Sequence, residues 1–263
     1  MLPGVRLGRC PRLSLFCALS AIICTSLIFA QPALPKVVIV FDDLLRDPKY
    51  YETALSIPVS LDFSVIPGFD FSRADAEAVH AHGQEVMMHF PMQALKGNLP
   101  YYTFKLIDGM SANEIQYHLN ESFRTVPYVV GLNNHMGSRA SQNAALMATF
   151  MQCYKKAMAK TGQPGFFLDS KTIGHSQAGK EAEKAGIRTY YRDVFLDGFT
   201  DDAYLHKQLS QLVSIAQKRG YAIAICHVRP PTMRFMAREL PKLQGTVQFV
   251  HLSSLYYPSD GRN

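Results

Sequence analysis

Val37-Val38-Ile39-Val40-Phe41-Asp42-Asp43 decides the fold. Five apolar, mostly β-branched residues run without a polar interruption, as in a strand buried on both faces, and stop at two adjacent carboxylates. Two neighbouring Asp residues at the end of a buried strand repel unless a cation or a shared proton compensates. A metal is one answer; a solvated acidic loop is the other.

Outward from this stretch, strands alternate with helices. A short helix is expected over Pro48–Ser56, a second strand over Val59–Ile66, and a helix from Ser72, capped with Asp75 three residues on, to Gly83. The strand Glu85–Met88 ends at His89, and 97–109 reads as a loop. Ser111 and Glu114 form a capping box for a helix to Arg124. Strands at 129–132, 166–168, 187–191, 221–226 and 247–252 are separated by helices at 141–160, 176–185, 202–219 and 232–240. About eight β/α units predict a single-domain α/β fold, a distorted (β/α) barrel with seven or eight parallel strands. The polar residues support it: Asp42, Asp43, His89, Asn134, His135, Asp169, Arg192 and His227 all fall at or just past a strand's C-terminal end, where barrel enzymes place their chemistry.

Residues 1–30 stand apart. Arg6, Arg9 and Arg12 precede an uncharged apolar run from Leu13 to Ala30, which reads as an export signal or an uncleaved membrane anchor. The expected location is periplasmic or extracellular, with attachment to the inner membrane if the segment is kept. Without these residues the formal charge falls from +6 to +3, because they hold three of the 27 Lys+Arg and none of the 21 Asp+Glu. No basic run interleaved with aromatics remains in 31–263, so nothing points to nucleic acid. Only Cys153 and Cys226 are left, too few for a disulfide framework, though one bridge stays open.

Asp43, His89 and His135 supply one carboxylate and two imidazoles, a common ligand set for a catalytic divalent metal, Zn²⁺ first, with Co, Ni, Fe or Mn also compatible. Such an ion lowers the pKa of water towards ~7 and polarises a carbonyl. Asp42 is then placed as a general base and His227, with a reference pKa of about 6.5, as an acid for the leaving group. Arg192 is expected to hold Asp42 or Asp169 ionised, and Asp169 to orient a ligand histidine. His89 or His135 taken alone reads more readily as a hydrogen-bonded structural residue than as a ligand. Cys226 reads as a buried hydrophobe rather than a nucleophile. Tyr101-Tyr102 is either a sugar-stacking platform or a loop anchor. A phosphoryl-transfer site with a nucleophilic Asp normally separates its two acids by one residue, which disfavours that class.

The blocks Phe41-Asp42-Asp43, Gly83 to Met92, Gly131 to Ser138, Phe166 to Ser170, Arg192 to Asp197 and Ala222 to His227 resemble, in order, those of the divergent polysaccharide deacetylase family. The resemblance implies a distorted β/α barrel related to metal-dependent enzymes that deacetylate chitin oligomers, peptidoglycan and xylan. It implies Asp42 as base, Asp43 and His89 as metal ligands, His135 as the ligand replacing a missing histidine, and His227 as acid. The implied partner is an acetylated polysaccharide or peptidoglycan fragment. Three positions depart from the pattern: Gln93 stands where the better-known deacetylases have a second ligand histidine, Leu44-Leu45 where a glycine turn is expected, and Arg229 where a further histidine is expected. A barrel that binds glycan or an envelope partner without catalysis is the alternative reading.

Overall fold

The alternation along β1 (Lys36–Leu44) sorts its residues between two separate hydrophobic layers. The computed structural model describes residues 33–97 and 99–255 together with Met1 and Gly4, and Leu34 onward forms one compact unit. Val37, Ile39 and Phe41 pack outward with helical residues such as Val79, Phe150 and Leu212. Val38 and Val40 pack inward with Met87, Leu168, Ile223 and Ile225, a cluster without α-helical members. The period of two in a strand thus separates a sheet–helix core from a barrel lumen.

The remaining strands are β2 (Asp62–Val65), β3 (Glu85–Met92), β4 (Val129–Met136), β5 (Phe167–Asp169), β6 (Thr189–Tyr191), β7 (Val194–Phe195), β8 (Tyr221–His227) and β9 (Gln248–Phe249). Their order is β6-β5-β4-β3-β2-β1-β8-β7, every pairing is parallel, and β9 pairs with the start of β1. The two ends of this path are consecutive in the chain. Arg192 N donates to Asp169 O beside β5, while Asp193 N donates to Ile223 O of β8, so one stretch serves both edges and the sheet curls into a distorted barrel.

The helices are α1 (Glu52–Leu55), α2 (Ser72–Ala81), α3 (Ala112–Thr125), α4 (Ala144–Ala159), α5 (Ala178–Lys184), α6 (Asp202–Arg219) and α7 (Pro230–Glu239). The capping box of α3 forms, and Gly220 ends α6 at φ 91°, a conformation that costs glycine no Cβ clash. Several boundaries differ from the sequence reading. The second strand begins only at Asp62, because the Gln84 side chain brackets the preceding residues, donating to Val59 O and accepting from Leu61 N. Asn143, not Ser141, caps α4. α7 starts two residues early on Pro230-Pro231, where a missing N–H is harmless. β3 and β4 run on past His89 and Leu132 because they keep pairing to Met92 and Met136.

Ser72 and Asp75 do not form the expected cap. The Ser72 hydroxyl donates to Ile66 O and accepts from Phe69 N. Asp75 is fully buried, neither carboxylate oxygen has a hydrogen-bond partner, and burial pushes its pKa up to about 8. The folded state therefore holds a proton that the unfolded chain, with a pKa of about 3.9, has already released. Stability falls as pH rises from about 4 to about 8, by up to about 1.4 kcal/mol per pH unit from this group. Asp75→Asn is expected to remove that slope and to be more stable than wild type at pH 8 but not at pH 4, as measured by urea unfolding across this range.

Cys153 and Cys226 are free and buried, so no bridge joins them; burial holds the Cys226 thiol well above its ordinary pKa. Among the described residues no helix is long and apolar enough to cross a membrane. The segment expected to act as an export signal or membrane anchor, 1–30, lies outside the described residues apart from Met1 and Gly4.

Candidate metal centre and active site

The inward parity that places Val38, Val40, Met87, Ile223 and Ile225 in the lumen carries on to Asp42, His89 and His227 at the C-terminal ends of β1, β3 and β8. β4 contributes its share by register: Asn133 pairs with His89 and His135 with Pro91, so both face the same side as His89. These residues border a cavity of about 460 Å³, lined by Asp42, His89, His135, Arg192, Phe195 and His227 among others.

Asp43 is the focus. Its backbone sits at φ 70°, a left-handed conformation costly for a residue with a Cβ. Asp43 Oδ1 lies 2.9 Å from His135 Nδ1 and 3.3 Å from His89 Nε2. Neither approach has hydrogen-bond geometry, so this oxygen is buried without a donor. The outer nitrogens of both histidines are engaged elsewhere. His89 Nδ1 is 2.8 Å from Asn133 Oδ1, an acceptor, and His135 Nε2 is 2.8 Å from the Tyr102 hydroxyl. Protons on those outer nitrogens leave a lone pair on each inner nitrogen, aimed at the Asp43 carboxylate. Three converging electron-pair donors with no proton between them suit a divalent cation, so the residues present fit such an ion.

The electrostatics follow from burial and these neighbours. Burial opposes the Asp43 charge, yet the adjacent His135 and His89 hold its carboxyl far below the ordinary range. Burial pushes His89 down, but the Asp42 and Asp43 carboxylates outweigh it and raise the net value. His135 goes the other way: burial, with repulsion from His89 whenever that ring is doubly protonated, lowers it despite Asp43. Tyr102 is pushed up to about 12 by burial and by Asp43, and stays protonated.

Asp42, 2 % exposed, is gripped by Asn133, whose Nδ2 donates to Oδ1 at 2.9 Å and Oδ2 at 3.1 Å. One amide therefore orients both Asp42 and His89. On the neighbouring strand β8, where His227 is the register partner of Asp42, His227 Nδ1 donates to Asp197 Oδ1 at 2.9 Å, while Nε2 faces the site, 3.8 Å from Asp43 Oδ2. Burial pulls the His227 pKa down, but Asp197 and the two site carboxylates raise it overall.

Three of the sequence expectations for supporting residues change. The Arg192 guanidinium bonds to neither the Asp42 nor the Asp169 carboxylate, although both charges reach it; its Nε donates to Ser170 O and its Nη2 to Lys171 O, over the Phe195 ring. Asp169 contacts no histidine, accepting instead from Lys171 N, Ser176 Oγ and Gly179 N, because its turn needs those amides satisfied. Asn134 ties strand ends together through Ser170 N and Met136 O and does not touch the site histidines.

Asn133, Asp197 and Tyr102 take the supporting positions. Asn133 was accessible from period two, since a residue two before an inward His135 must also face inward. Asp197 follows the two-residue β7, too short to register as a strand. Tyr102, one of the pair read as a sugar platform or a loop anchor, arrives from an aperiodic loop pinned by Asp108 N donating to Gln93 Oε1 and by pairing of Met92 with Leu106, and no local pattern marks it as a partner of His135.

The departures from the pattern find structural partners. Gln93 faces the loop rather than the ligands. Leu45 N and Arg46 N, after the Asp pair, both donate to the Tyr51 hydroxyl, which holds the turn without glycine. Arg229 Nη1 donates to Asp197 O and lies 3.8 Å from Asp197 Oδ2, bracing the residue that orients His227.

The sequence profile of the divergent polysaccharide deacetylase family matches residues 39–256. The chain belongs to this family. Two relatives of this divergent deacetylase chain match over most of its length: an uncharacterised Haemophilus influenzae protein, 32 % identical over 246 residues (92 % of this chain, 82 % of the relative), and Escherichia coli YibQ, 33 % identical over 220 residues (84 % and 67 %). A solved structure from Agrobacterium tumefaciens, of an uncharacterised protein, superimposes with a TM-score of 0.74 at 20 % identity, covering 85 % of this chain and 89 % of that one. A mutant of a CE4-family pseudoenzyme with restored enzymatic activity gives 0.53 at 16 % identity, covering 86 % and 69 %. These likenesses place the chain's curled parallel sheet in a known fold.

Tyr102→Phe removes the acceptor for His135 Nε2 and frees that ring to turn. Metal affinity is expected to fall about 10- to 100-fold, measured by competition with a chromophoric chelator, with the fold retained.

Proposed function

We propose that the chain is an exported, metal-dependent hydrolase that removes acetyl groups from a cell-envelope or extracellular polysaccharide. The observation that carries this is the convergence of Asp43, His89 and His135 on one point, bordered by a fixed carboxylate, Asp42, and a fixed histidine, His227. When bound, a divalent ion, Zn²⁺ first, would supply Lewis acidity, acidifying water and polarising the acetyl carbonyl. The chain's own residues then divide the proton traffic. Asp42, held by Asn133, takes a proton from the attacking water as its oxygen bonds to the acetyl carbon. His227, kept protonated by Asp197, gives a proton to the sugar nitrogen or oxygen as its bond to that carbon breaks. Water and acetylated sugar are thereby converted to acetate and free amine or hydroxyl.

Export is supported by Arg6, Arg9 and Arg12 ahead of the uncharged run to Ala30, and cell fractionation tests it. The activity is tested by acetate release from chitin oligomers, peptidoglycan and acetylated xylan, with metal supplied and with metal stripped by chelation. Release from one of these that is lost on chelation and restored by Zn²⁺ is expected. Glycan binding with no acetate release under any metal would replace this reading with that of a non-catalytic glycan-binding barrel.

A further inference from the structure

Part of the cavity lining is cationic. Arg192 and Lys171 both belong to it, with Ser170 and Thr172 between the strand ends. The segment is built rather than loose: Lys171 takes φ 48°, its N–H is fixed on Asp169 Oδ1 at 2.9 Å, and Thr172 Oγ1 donates to Met136 O at 2.9 Å. Strained non-glycine backbone of this kind persists where the surroundings over-determine it, often beside ligands.

A partly buried guanidinium is ordinarily paired with a carboxylate. Arg192 has none within 4 Å among the described residues; its recorded polar contacts are the Ser170 and Lys171 carbonyls, with the Phe195 ring beneath. Burial lowers its pKa, a sign that the charge is held at a cost. The acids whose charges reach it are engaged elsewhere. Asp42 is held by Asn133, Asp169 by Lys171 N, Ser176 and Gly179, and Asp193 by Arg219. Among the described residues the Lys171 ammonium likewise has no carboxylate within 4 Å, and it lies 5.0 Å from the Tyr191 ring centroid. Ser170 adds a buried hydroxyl without a hydrogen-bond partner at the same wall.

We propose that Arg192 and Lys171 form an anion subsite, and that the acetylated sugar this site takes carries a carboxylate or phosphate near its acetyl group. The inference rests on the deacetylase reading and deepens it from acetylated glycan to anionic acetylated glycan. Arg192 supplies a planar fork for two oxygens and Lys171 a mobile point charge at the rim.

The test is calorimetric binding to the full, Zn²⁺-supplied chain of three matched sugars: N-acetylglucosamine, its 3-O-lactyl ether and its 6-phosphate. At least one anionic sugar is expected to bind ten-fold or more tightly than the neutral one, and which one separates carboxylate from phosphate. Arg192→Gln should bring that ratio close to one. Lys171→Gln, an exposed change that spares the fold, should cut it at least threefold. Equal affinities for all three sugars in the wild type, or a ratio that survives both substitutions, would overturn the proposal. Acetate measured in the same samples separates the two claims: anion preference without hydrolysis keeps the subsite and removes the deacetylase, and hydrolysis without preference does the reverse.

Discussion

Asp42→Asn is expected to lower kcat for acetate release by about 10³-fold while leaving bound metal at wild-type stoichiometry, since positioned general bases contribute about 10²–10⁴. The change is nearly isosteric, and Asp42 lies outside the converging trio of Asp43, His89 and His135. What disappears is the carboxylate that Asn133 holds with two N–H contacts, 3.6 Å from His89 Nε2, in a pocket that leaves it 2 % exposed. Among the described residues no other carboxylate is placed to take over, because Asp43 faces the two histidines and Asp197 lies behind His227. Steady-state kinetics with metal analysis on the same samples decides it; activity within tenfold of wild type would remove Asp42 from the role of base.

The second large effect is expected at a residue that touches no substrate. Asp197 is fully buried and binds His227 twice, taking the backbone N–H on Oδ2 and Nδ1–H on Oδ1, with Thr232 Oγ1 also on Oδ2. Its charge is among the influences that keep His227 protonated against the pull of burial. In Asp197→Asn the negative charge is gone while the side-chain volume stays. The imidazolium then loses stabilisation and its pKa falls. Since the acid form is needed, the alkaline fall of kcat is expected to move to lower pH, with kcat at neutral pH down about 10²-fold. A pH–rate profile in which the alkaline limb does not move would show that Asp197 only holds structure, and thermal unfolding of the variant separates that outcome from misfolding.

Much of the architecture was legible because burial has a period. The apolar run Val37–Phe41 marks a strand covered on both sides, and the structure shows those sides as lumen and helical layer. The same rule carried Asp42, His89 and His227 to one rim. At Asn133-Asn134-His135 the same period puts Asn133 and His135 on one face and Asn134 on the other, so position at a strand end does not by itself mark a site residue. Arg192-Asp193 looked like the tail of a sixth strand, but it joins two edges of a curled sheet, and closure depends on residues far apart in sequence. The Asp75 carboxyl illustrates a further limit. Ser72 with Asp75 has the spacing of a cap, yet the Ser72 hydroxyl is drawn to Ile66 O and Phe69 N by the path of the preceding loop. Tyr102 shows the same dependence on a distant contact, since it matters only because its loop is pinned over His135.

The most direct test of the metal centre is elemental analysis of the purified chain after incubation with Zn²⁺, beside His89→Ala and His135→Ala. The convergence of Asp43 Oδ1 with the two histidine lone pairs leads to about one ion per wild-type chain and large losses in both variants. A wild type that stays empty, or variants that bind as well as wild type, would contradict it.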